Sequence, residues 1–60
     1  ANLMQHTYVS MLKAKLESEA GIRFEKVDTL RWVSYDGDTE IVFARTLGQC
    51  VNNTAKELGE

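Results

Sequence analysis

Apolar and polar positions recur at helical spacing over residues 3–18. With Leu3 set at 0° and a step of about 100° per residue, Met4, Tyr8, Val9, Met11, Leu12 and Leu16 fall within one arc roughly 160° wide. His6, Ser10, Lys13 and Glu17 fall on the opposite side. The pattern predicts an amphipathic helix lying on a core. Gly21, directly after Ala20, marks its stop, because glycine tolerates the left-handed conformation that ends helices.

The pattern then changes period. Leu30–Tyr35 and Asp38–Ala44 are β-rich runs that flank Asp36-Gly37, which predicts a hairpin with a two-residue type I′ turn. That loop places Tyr35 opposite Asp38, Trp32 opposite Ile41, Leu30 opposite Phe43 and Asp28 opposite Arg45. Leu30, Trp32, Ser34, Thr39, Ile41 and Phe43 then share the core face. Arg31, Val33, Tyr35, Asp38, Glu40 and Val42 share the mixed face. Ile22 and Phe24 alternate with Arg23 and Glu25, so residues 22–27 either form a third short strand or extend the first.

A second helix is predicted from Leu47 to Leu58, with Thr46 as N-cap and Gly59 as stop. Leu47, Val51, Ala55 and Leu58 form its apolar stripe, with Thr54 at the edge. Two helices on one face of a hairpin make a small α+β domain with α-β-β-α layers, covering residues 1–60 as one unit.

Composition narrows the function classes. The chain has 60 residues, a net charge of −2 and 27% charged residues, which is ordinary for a globular domain. Its longest apolar run, residues 41–44, is too short to span a membrane. One cysteine and no secretory pattern make a cytoplasmic location the expectation. A domain this short buries only about 60% of the surface its unfolded chain exposes, so a stabilising partner is expected.

Candidate chemistry is sparse. Cys50 and His6 are the residue types of a nucleophile and base, but they lie on different predicted helices and lack an orienting third group. Cys50 beside an apolar stripe reads as a packing residue. Asp36, Asp38 and Glu40 alternate like the start of a calcium loop, yet the glycine and glutamate positions of that loop hold Ile41 and Leu47. No enzyme, metal or other cofactor is expected. Thr54-Ala55-Lys56-Glu57-Leu58-Gly59 resembles the end of the first helix and the turn of a helix-turn-helix motif, as in the phage Cro and repressor families. The match covers only that segment, and a hairpin precedes it where those families have helix, so the segment reads as an ordinary helix end.

What remains is a non-enzymatic regulatory module that binds a protein, most simply a second copy of itself. Met4, Tyr8 and Met11 on the first helix, with Leu47, Val51 and Leu58 on the second, are the candidate interface. The 4, 3, 4 spacing of Leu47, Val51, Thr54 and Leu58 suits paired helices. The alternative is nucleic-acid binding through Arg23, Lys26, Arg31 and Arg45, which gather in the β region without a basic excess overall.

Overall fold

A computed structural model describes residues 2–59, with side chains from Tyr8 onward. The architecture is α+β: helix α1 (Asn2–Glu19), strands β1 (Ile22–Asp28), β2 (Arg31–Asp36) and β3 (Thr39–Ala44), and helix α2 (Leu47–Leu58). Residues 22–27 therefore belong to a strand of their own. The strands form an antiparallel meander in the order β1-β2-β3. Helix α2 packs on all three strands and on α1, while α1 reaches α2 and β1.

Leu16, Ile22, Val51 and Ala55 are the buried centre of the core, with Val9, Leu12, Phe24, Ile41 and Leu47 packed around them. Each helix end has a local cause. Gly21 and Gly59 both carry positive φ (68° and 81°) just past a helix, where an L-residue would be strained. Thr46 caps α2 by accepting a hydrogen bond from the Gln49 N–H at 3.2 Å.

The β2–β3 register differs from the sequence expectation. Asp36 pairs with Thr39 and Tyr35 with Glu40, so the loop is Gly37-Asp38 rather than Asp36-Gly37. Asp36-Gly37-Asp38 contains two overlapping hairpin dipeptides. The positive φ of 64° falls on Gly37 at the first loop position, the glycine-led pattern, and Asp38 has none. The shift preserves face parity near the turn, so Ser34, Thr39 and Ile41 still share one face and Tyr35 and Glu40 the other.

Further along, a β-bulge sets Ile41 and Val42 opposite the single residue Ser34. The Ser34 hydroxyl fills the gap in the ladder. It accepts from the Val42 N–H at 3.3 Å and lies 3.4 Å from the Val42 carbonyl. Beyond the bulge Phe43 stands opposite Val33 and Ala44 opposite Trp32. Phe43 thus leaves the expected core face for the open face. Trp32 and Ile41 are not cross-strand neighbours, and both are only half-buried. Trp32 stays half-covered because α1, among the described residues, does not reach β2.

Strands β1 and β2 meet through Thr29-Leu30, with Asp28 opposite Arg31 rather than Arg45. Leu30 is therefore a loop residue and not a core residue. It adopts φ 54° and leaves its side chain 65% exposed. A second irregularity lies beside it, where β1 slips between Lys26 and Asp28. Both edge strands of the sheet thus carry a bulge, a device that discourages edge-to-edge pairing.

Candidate functional site

The only described nucleophilic thiol sits inside the core. Cys50 is fully buried, on the α2 turn that faces β2. Burial pushes its thiol above the ordinary value of 9.0, and hydrogen bonds to Ser34 and Thr54 oppose that only in part. A protonated, inaccessible thiol is a poor nucleophile. The two hydroxyls beside it are structural. Thr54 Oγ1 lies 2.7 Å from both Ser34 Oγ and the Cys50 carbonyl oxygen. Together with the Ser34–Val42 bonds, this ties α2 to the bulge of β3 across the centre of the sheet. Every buried side-chain polar atom among the described residues has a partner. No three His, Cys, Asp or Glu side chains among them stand where they could share a metal. The side chain of His6 lies outside the described residues.

The first helix divides its apolar arc. Val9, Leu12 and Leu16, on one half, pack into the core. Tyr8 and Met11, on the other half, are 60% and 68% exposed. Met4 belongs to the same outer half by spacing, but its side chain lies outside the described residues. The candidate interface residues of α2 behave differently. Val51 is fully buried and Leu47 packs on the core, so neither is open to a partner. Leu58, at the end of the helix, is exposed.

The four candidate basic residues are not one patch. Arg23 and Arg31 lie on the open face of the sheet, each over an aromatic ring. The Arg23 guanidinium sits 4.6 Å from the Tyr35 ring centre, and that of Arg31 sits 4.6 Å from Phe43. Glu25 pairs with Arg23 at 2.8 Å. These stacks flank Val33 in the middle strand, which explains how a valine on an uncovered sheet face is only 3% exposed. Lys26 is on the helix-side face, opposite Trp32. Arg45 follows β3 and joins Arg31 at the margin of an open groove of about 680 Å³ between the β1–β2 loop, the end of β3 and the start of α2.

Sequence reasoning missed that groove. Its most telling residue, Leu30, falls on the core face only under the Asp36-Gly37 register. A tight loop between Asp28 and Arg31 was the available signal, since an opposite-charge pair flanking two residues suits a hairpin.

Compared with known proteins, the chain matches no protein-family profile, no curated protein and no solved structure.

Proposed function

We propose that this chain is a non-enzymatic interaction module that works as a homodimer, with the outer half of α1 as the contact between copies. One observation carries the reading: α1 is apolar over a wider arc than its own core covers. Tyr8 and Met11 stand uncovered beside a covered row of Val9, Leu12 and Leu16. Tyrosine and methionine are also residue types enriched at protein interfaces. Adding Met4, the outer positions are spaced 4 and 3 residues apart, the seam spacing of two packed helices. A twofold pair would cover this row on both copies with one contact. The bulged edge strands make pairing through the sheet the poorer route. The buried state of Cys50 agrees with a non-catalytic role.

Nucleic-acid binding has less behind it. The faces of Tyr35 and Phe43 that a base would stack on are covered by the chain's own arginines. The net charge of −2 opposes a polyanion.

Sedimentation tests the reading. The expected result is a dimer at micromolar concentration whose melting temperature rises with concentration, as mass action requires. A clean monomer at high concentration, with concentration-independent melting, overturns it.

A further inference from the structure

The groove at the β1–β2 loop joins features that the chain's own folding does not require. Leu30 holds φ 54°, a conformation that tight loops normally give to glycine or asparagine. An ordinary L-residue is strained in that conformation. No burial offsets it, because the side chain is 65% exposed. Phe43, on the same groove, is 56% exposed. Backbone strain that presents an apolar side chain to water points to a binding role.

The polar lining gives the sign of the ligand. Arg31 and Arg45 stand at the groove, and neither has an ion-pair partner among the described residues. The one carboxylate there, Asp28, is engaged locally: its Oδ1 accepts from the Thr29 N–H at 2.7 Å. Gln49 and Asn53 project from the opposite wall on α2, whose first turn has no acidic residue. Side-chain amides donate and accept at once, which suits peptide backbone groups. The volume of about 680 Å³ falls within the range of small ligand sites.

We propose that this groove binds an acidic peptide segment carrying an apolar side chain. The apolar side chain packs on Leu30 and on the exposed part of Phe43. Its neighbouring carboxylates pair with the Arg31 and Arg45 guanidiniums, a match that favours Arg geometrically. Gln49 and Asn53 hold the peptide backbone. A nucleic acid is the less suitable occupant, since Arg31 already covers the Phe43 ring face and the groove's apolar pair would be left unmatched. No described α1 residue lines the groove, so peptide binding and dimer formation are read out separately.

The experiment is a titration of the ¹⁵N-labelled protein with the peptide acetyl-Glu-Leu-Glu-Leu-Glu-amide, followed by amide chemical shifts. Lys-for-Glu and Ser-for-Leu versions of the peptide and an oligo-thymidine strand run alongside. The expected result is saturable binding with shifts centred on Leu30, Arg31, Arg45 and Gln49. Binding of both altered peptides should weaken roughly tenfold or more. Arg45→Glu should weaken the parent peptide by a similar factor while leaving the circular dichroism unchanged. Leu30→Gly keeps the loop conformation without strain, so it should weaken peptide binding while raising the melting temperature. Shifts lying elsewhere, equal binding of the lysine peptide, or preferential binding of the oligonucleotide would each overturn the proposal. So would a Leu30→Gly protein that binds as well as the parent.

Discussion

The two helices meet the same sheet and use their apolar residues in opposite ways. Helix α2 is closed at both ends, with Thr46 at its start and the left-handed Gly59 at its finish. Lys56 in its last turn suits the helix dipole. The middle of its stripe is consumed inside the chain, where Cys50, Val51, Thr54 and Ala55 are all buried, and only Leu58 at the stripe's end is exposed. Helix α1 is longer, yet has no acidic residue in its first turn and no basic residue in its last. Glu17 and Glu19 stand at its C-terminal end, where the dipole disfavours them. Tyr8 and Met11 of its apolar arc face water. A helix whose stripe is spent is scaffold, whereas one with spare apolar surface and an uncompensated dipole depends on what it meets.

The most severe way to break this contrast is Val51→Asp. An unpaired carboxylate in the dry core should cost about 4 kcal/mol or more, most of the stability of so small a domain. Circular dichroism should show an unfolded chain at 25 °C. Ser34→Ala comes next. It strands the Val42 N–H in the bulge and removes one partner of Thr54, for an expected loss of about 2 kcal/mol by urea titration. Thr46→Ala should cost about 1 kcal/mol through the lost cap. By contrast, Met11→Lys should leave the intrinsic stability within about 0.5 kcal/mol, because the residue faces solvent. It should nonetheless abolish the concentration dependence of melting. If Met11→Lys destabilised the dilute protein as much as Ser34→Ala does, the division of α1 into covered and uncovered halves would be wrong.

The smallest expected effect is on alkaline stability. The folded chain holds the Cys50 proton more tightly than the unfolded chain does. The contribution is therefore intact below the unfolded thiol's pKa, about 9, and declines as pH rises toward the higher folded value. Cys50→Ala should flatten the part of the alkaline decline that begins near pH 9, as read from urea midpoints against pH.

The helices were legible in the sequence because their signals are local. The expected Leu47–Leu58 helix, its Thr46 cap and its Gly59 stop all stand as read. The N-terminal helix expected over residues 3–18 also stands, as Asn2–Glu19. The sheet was read less well, since register depends on which of two overlapping turn dipeptides wins. Asp-Gly and Gly-Asp share Gly37, and nothing local separates them. The bulge at Ile41 and Val42 depends on Ser34 meeting Thr54, twenty positions apart and on another element. That contact is tertiary, and the period-2 pattern carries no trace of it. Phe43 is misplaced for this reason, and Leu30 because Thr29-Leu30 is the loop between β1 and β2; the groove is missed with them. Val51 was assigned to a partner on spacing alone, although spacing cannot distinguish a seam between chains from a stripe on one's own sheet.

The strand order has a consequence in time. Each strand pairs only with its neighbour in sequence, through loops of two residues. Closing such short loops takes well under a microsecond, and a hairpin forms within roughly 1–10 μs. The contact between α1 and α2 closes the longest stretch of chain, so it should form last. Folding should therefore run from the meander outward, with α1 docking last. In the native state α1 should be the first element to open, so its amides should exchange with solvent ahead of those of β2.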